Sequence, residues 1–267
     1  MSDLDALLSP PSEASAGVTL SDTELSHSGL PKSESLTPID TTYARPTLSI
    51  IIPVLNEAHT IARSLLQLKG MQAGGAEVIV VDGGSSDDSV EQAQMHADKV
   101  LHSGRGRARQ MNVGARGASG QVLLFLHADT ELPEIRVDLA ELLAQKKAVW
   151  GRFDVRLSGA NVAFRVIEFM INQRSRLTGI ATGDQGLFIK RSVFTDLGGF
   201  KEIPLMEDIE LCKRLKKITA PLCLKQRVVT SSRKWEREGV LKVVMLMWRL
   251  RLAYFFGVPA ARLAKFY

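Results

Sequence analysis

The eight residues Val122-Leu123-Leu124-Phe125-Leu126-His127-Ala128-Asp129 constrain this chain more than any other stretch. Five large apolar residues in succession, bounded by polar ones, predict a strand buried on both faces, as in the middle of a parallel sheet. The run ends abruptly in a histidine and a carboxylate, so chemistry is expected at its carboxyl end. Ligands of open α/β sheets bind outside the carboxyl ends of the strands, where an Asp can meet a metal or a phosphate while the strand holds it still.

The chain around this strand alternates in period. Leu48 to Ile52 is a β-branched run stopped by Pro53, and a helix follows with Ile61, Leu65 and Leu68 on one face. Val78 to Val81 predicts a second strand, and Ser85 with Asp88 reads as a capping box for the next helix. Lys99–His102 predicts a short strand and Gly106–Arg116 a helix leading into the central strand. Pro133 suits the first turn of a helix carrying Ile135, Leu139, Leu142 and Leu143. Beyond it, strands are expected at 149–157, 186–190 and 222–229, and helices at 162–171, 207–216 and 239–256. This order predicts right-handed crossovers and a mostly parallel, single-domain α/β sheet flanked by helices.

Residues 1–45 stand apart. Asp3, Asp5, Glu13, Asp22, Glu24, Glu34 and Asp40 face only Lys32 before Arg45, without helical or alternating period, which predicts a disordered acidic leader. Without residues 1–44, 33 basic and 22 acidic residues remain, a net charge of about +11. That balance suits an anionic partner: nucleic acid, a membrane surface or a phosphorylated small molecule. Cys212 and Cys223 are too few and too badly spaced for a zinc site, and both are expected as buried thiols in a reducing compartment. No basic and apolar secretory signal opens the chain, and no apolar run reaches the length of a membrane span. The expected location is cytoplasmic, or peripheral on the inner face of the plasma membrane.

Three polar clusters follow three predicted strands: Pro53 to Glu57 with Asn56, Asp82 to Ser85, and His127 to Asp129. Singly, Asn56 can cap a helix, Asp82 can shape a turn and Asp129 can end a strand; together on one edge they favour a site. A nucleotide diphosphate needs such a set: a carboxylate for base or ribose donors, glycines for close approach, and a metal to neutralise charge. Arg105, Arg107 and Arg109 can add cationic contacts or form a solvated helix face. Glu207 and Asp208 open a helix, where acids also favour the macrodipole. Adjacent helical residues diverge by about 100°, so one acts as a base and its neighbour is structural. The loop at Asp184 is either a turn or an acceptor wall, and Arg233 with Trp235 is a surface anchor or a substrate platform.

These residues together resemble family 2 glycosyltransferases over residues 47–236. Ile50 to Glu57 is similar to that family's first strand and nucleotide loop, Val80 to Asp87 to its second, and Glu207-Asp208 to its E-D motif. The segment from Gly106 to Ala118, with Arg109 and Asn112, resembles the helix before its D-x-D strand. The His-Ala-Asp variant looks most like a bacterial subgroup labelled transferase 2.

The resemblance implies a GT-A fold, an inverting mechanism, a nucleotide-diphosphate sugar donor, a hydroxyl acceptor and a divalent metal, Mn2+ or Mg2+. It implies that Asp82 contacts the base, Asp129 the metal, and that Asp208 is the catalytic base. His127 replaces the first Asp of D-x-D, leaving Asp129 as the metal ligand. A sugar nucleotidyltransferase would carry a Gly-rich cationic loop after the first strand, and Pro53 to Glu57 has no such signature. A nucleic-acid-binding module would interleave aromatics with its cations, and aromatic residues are only 6% of the chain. Gly239 to Phe256 mixes Leu, Val, Met and Trp with Lys242, Arg249 and Arg251. It predicts either a core-packed amphipathic helix or an interfacial one that meets a lipid or lipid-linked acceptor.

Overall fold

β-Branched runs alternating with amphipathic segments give a sheet clothed by helices. The computed structural model describes residues 46–135 and 137–266; the leader expected over residues 1–45 lies outside the described residues. Strand β1 (Leu48–Val54) leads through α1 (Ile61–Gln67) and α2 (Lys69–Ala73) to β2 (Glu77–Asp82), and α3 (Ser89–Gln94) leads to β3 (Lys99–His102). Next come α4 (Arg107–Gly117), β4 (Val122–Phe125), the two-residue β5 (Thr130–Glu131), α5 (Leu139–Gln145) and β6 (Trp150–Leu157). The second half runs α6 (Val162–Thr178), β7 (Leu187–Lys190), α7 (Arg191–Asp196), α8 (Glu207–Leu215), β8 (Leu222–Thr230), α9 (Arg233–Glu238), α10 (Val240–Phe255) and α11 (Ala260–Leu263).

The strands pair in the order β3-β2-β1-β4-β7-β6-β8-β5. β1 is parallel to both β2 and β4, and its strand order reverses there: β2 and β3 lie to one side, β4 to the other. A crevice outside the carboxyl ends of β1 and β4 is therefore a topological switch point, where a ligand site is expected.

The central strand is buried on both faces, as its sequence predicts. Val122, Leu124 and Leu126 enter one core with Ile50, Ile52 and the α1 and α5 residues Leu65 and Leu143. Leu123 and Phe125 enter the other with Ile51, Met111 of α4, Phe194 of α7 and Leu211 of α8. Its second neighbour, β7, runs antiparallel to it, and β7 is also antiparallel to β6. The sheet is mixed, with its parallel pairs gathered in β1 to β4 and in β6 with β8. Period-two burial carries no strand direction, so this reversal was not legible locally.

Other boundaries shift for identifiable reasons. The helix expected from Pro133 starts only at Leu139, because Asp138 accepts from the N–H groups of Ala140 and Glu141 and so caps it. Ser85 caps nothing: α3 begins at Ser89 without a side-chain cap, and Ser85 serves the loop after β1. The helix expected over 162–171 continues to Thr178 and stops at Gly179, left-handed at φ 64°. Cys212 is buried, and burial pushes its thiol up to about 12; Cys223 is only half-buried.

Gly151 lies buried where β6 meets β7 and β8, and a β-carbon there would sit 2.4 Å from Leu222 O and 2.4 Å from Phe188 Cζ. Gly151→Ala should destabilise the fold by about 1–3 kcal/mol through overpacking, read as a lower urea midpoint with an unchanged slope.

Candidate active site

The rim of the crevice is two loops laced together. After β1 the chain turns at Asn56, left-handed at φ 55°. Its N–H donates to Ser85 Oγ, its Oδ1 accepts from the Ser86 N–H at 2.8 Å, and the Glu57 N–H donates to Ser89 Oγ. Asp82, at the end of β2, accepts from the N–H groups of Gly84 and Ser85, both at 3.0 Å. Burial pushes its carboxyl up, but hydrogen bonds from Ser85 and Gly84, with His102 beside it, outweigh that and hold it below the usual range. From below, the buried Gln110 of α4 donates to Val54 O and Val81 O, each at 2.8 Å, tying the ends of β1 and β2 together.

Inside the rim lies a cleft of about 490 Å3, a size that suits a small-molecule ligand. Pro53, Glu57, Arg105, Arg107, His127, Asp129, Asp184 and Trp235 line it, eight of the residues singled out from the sequence. A second compartment of about 290 Å3 holds Glu207 and Asp208 and shares Arg107, His127, Asp184 and Met247 with the first. Glu207 and Asp208 follow Met206, which is left-handed at φ 69°. Asn56 and Met206 are thus non-glycine residues in a disfavoured conformation, one at each compartment, at a cost of roughly 1–2 kcal/mol each.

Charge in the two compartments is poorly neutralised. Burial, then Glu57, pushes the Asp129 carboxyl up; Arg233 Nη2 lies 3.9 Å from it, and Arg107 pulls it partly back. Burial also raises Asp208, whose oxygens accept from the N–H groups of Gly183 at 3.0 Å and Ile209 at 2.7 Å. Burial and the neighbouring Asp208 raise Glu207 in turn. Burial and Arg107 hold His127 well below its ordinary value, so its imidazole is neutral. His127 Nε2 is buried without a hydrogen-bond partner among the described residues and faces Gly183, where a β-carbon would lie 2.6 Å away. A side chain there would have to displace the His127 ring. Asp184 Oδ1 is likewise buried and unpartnered among the described residues.

Five residues expected at the site stand outside its lining, among them Arg233, which lies beside the cleft near Asp129. Asn56 and Asp82 shape the rim through their backbone partners. Arg109 pairs with Glu202 at 3.0 Å. Asn112 is buried and makes a two-way bond with the Phe200 backbone, at 2.8 and 2.9 Å, which pins the segment before α8. Conversely, Gln110, Met247 and Arg251 line the compartments without having been singled out. Of the basic run Arg105, Arg107 and Arg109, the first two line the cleft and the third turns to Glu202.

The oxygen donors at the cleft suit a hard divalent cation. Among the described residues no three carboxylates, histidines or cysteines gather around one point. One carboxylate, Asp129, with Glu57 and the unpartnered Asp184 lining the same cleft, fits the way Mg2+-like ions bind through one or two carboxylates plus substrate phosphates.

Residues 49–198 match the model of glycosyl transferase family 2. A PGL/p-HBAD biosynthesis glycosyltransferase of Mycobacterium bovis is 35% identical over 118 residues, 42% of this chain and 44% of that protein, so the match spans under half of the relative's length. Among solved structures, a Pyrobaculum calidifontis mannosyltransferase in complex with GDP-Man and Mn2+ superposes with a TM-score of 0.56 at 21% identity, over 79% of this chain and 62% of that one. S. aureus TarS 1-349 in complex with UDP-GlcNAc gives 0.55 at 17% identity, over 69% of this chain and 58% of that one. At these identities the structures bear on the fold alone, and both share the α/β architecture described above.

Proposed function

The chain belongs to glycosyl transferase family 2, and from that premise we propose that it moves a sugar from a nucleotide-diphosphate donor to a hydroxyl acceptor with inversion at the sugar carbon. The observation that carries the reading is the divided cleft. Asp129 stands in the outer compartment, Asp208 in the inner one, and His127 and Asp184 belong to both.

The nucleotide lies along the rim formed by the loops after β1 and β2. Asp82 acts on it by holding the Gly84 and Ser85 backbone in shape. Arg105 and Arg107 face the diphosphate. Asp129, with Glu57 beside it, would hold a divalent cation, Mn2+ or Mg2+, which would supply charge neutralisation for the diphosphate. Trp235 covers the donor from α9. The acceptor hydroxyl enters the inner compartment, and Asp208 takes its proton as the oxygen attacks from the face opposite the diphosphate, which inverts the configuration. Glu207 stays buried beside it and raises the proton affinity of the pair. The neutral His127 sits at the partition without adding charge to either side.

The acceptor hydroxyl is carried by a lipid or lipid-linked molecule, and the chain acts at the inner face of the membrane. No helix among the described residues is long and apolar enough to cross a bilayer. Attachment would therefore be peripheral.

Thermal melting against GDP- and UDP-sugars, with and without Mn2+, tests the reading. A matching donor at a hundredfold excess over its dissociation constant stabilises the fold by about 2.7 kcal/mol. Unchanged melting with every nucleotide sugar in the presence of metal would sink it.

A further inference from the structure

α10 is apolar on two opposite sides. Advancing about 100° per residue, Val243 and Leu250 share one side and are buried, Leu250 against Met206 and Ile209 at the start of α8. Val243 and Met247 line the outer cleft, and Met247 and Arg251 the inner one. The other side carries Leu241, Met245, Trp248, Leu252 and Phe255, one residue per turn along the whole helix, and all are exposed, Trp248 to 62% and Phe255 to 75%.

The neighbouring α6 repeats the pattern. Its Phe164 and Ile167 are buried beside Val240 and Val244 of α10, while Val162, Val166 and Phe169 are exposed, Val162 to 77%. Two packed helices that each present an apolar stripe to solvent form more surface than scattered apolar residues would, and such a surface marks an interaction site.

The charge around the stripe identifies the occupant. From Gly239 to Phe266 the chain contains Lys242, Arg249, Arg251, Arg262 and Lys265 and no Asp or Glu. Lys242 and Arg249 are exposed and flank the stripe. A second copy of this chain, docked about a two-fold axis, would set these cations against themselves. An anionic lipid surface takes both the cations and the apolar side chains, with Trp248 at the depth where aromatic rings with a polar edge settle.

We propose that the outer stripes of α10 and α6 form a docking surface for an anionic bilayer, so that the helix whose inner side walls the cleft lies on the membrane with its outer side. A lipid-borne acceptor then reaches Asp208 past Met247 without leaving the interface; that last step rests on the transfer reading above.

Flotation of the full chain with vesicles of phosphatidylglycerol and phosphatidylcholine, against phosphatidylcholine alone, tests the surface. The intact chain floats with the anionic vesicles at low salt and is partly released at high salt. Trp248→Glu with Leu252→Glu lowers the bound fraction by about tenfold or more, and Lys242→Glu with Arg249→Glu does the same while leaving the apolar stripe intact. All four side chains are exposed, so melting curves should match the parent. The proposal is overturned if the intact chain stays soluble beside anionic vesicles, if both variants float like the parent, or if sedimentation shows a dimer that these substitutions split. Donor-induced melting shifts are read on the same samples. Vesicle binding without any donor response sinks the transfer reading and leaves the surface, whereas a full donor response without vesicle binding sinks the surface alone.

Discussion

Asp208→Asn should lower transfer by at least about 10²-fold while leaving donor affinity nearly unchanged. A general base contributes in the transition state, and its removal costs roughly 10² to 10⁴ in rate. The substitution keeps the size of the side chain and one oxygen to accept from the Gly183 or Ile209 N–H. Burial raises Asp208, and Glu207 is raised with it. The base works only when ionised, so the acid limb of the rate profile should fall at a pH above the ordinary aspartate value of about 3.9. Arg251 counters that rise, and Arg251→Met should move the limb further up. Initial rates across pH, with calorimetric donor affinity, check both statements. Retention of more than a few per cent of turnover by Asp208→Asn would remove Asp208 from the role.

Asp129→Asn should weaken metal-dependent donor binding by about 10²-fold or more, since even a partner in a metal's outer shell is worth 10- to 100-fold in affinity. Stability should hold or rise slightly. Asp129 has a folded-state affinity for protons raised by burial and Glu57, so its charged form is a cost to the native state at neutral pH that the amide relieves. Its nearest cation, Arg233, is exposed and 3.9 Å away, too weakly held to be missed. Calorimetry with donor, in Mn2+ and then in chelator, separates the outcomes: if variant and parent bind donor alike in both, Asp129 holds no metal.

The parts of this site that could be read from residues alone are those set by local chemistry. β1, β2 and β4 announce themselves because β-branched and large apolar runs stop at Pro53, Asp82 and His127, and their polar ends meet on one edge. The fold family was legible for the same reason. What could not be read depends on partners distant in sequence. Asn112 is a site candidate only through the family resemblance of its helix, yet it spends both ends of its amide on Phe200, 88 residues away. Gln110 reads as an ordinary polar helix residue until the ends of β1 and β2 converge over it. Arg251 belongs to a helix whose periodicity suggests only packing, and its place at the base emerges when α10 folds over α8.

The β5–β8 pairing bears on the order in which the molecule is made. Thr130 pairs with Thr230, and their hydroxyls bond at 3.1 Å across 100 residues of chain. Closing a loop of that length forfeits chain entropy before any contact repays it, and pairings of this span form slowly. Asp129 precedes that pairing by one residue, and Ser231 and Trp235, which line the same cleft, follow it within five residues. During synthesis the strands β1 to β4 can assemble with only the first half of the chain emerged. The segment from Thr230 to Trp235, which completes the cleft beside Asp129, must wait for β8, so the cleft closes only after most of the chain has emerged.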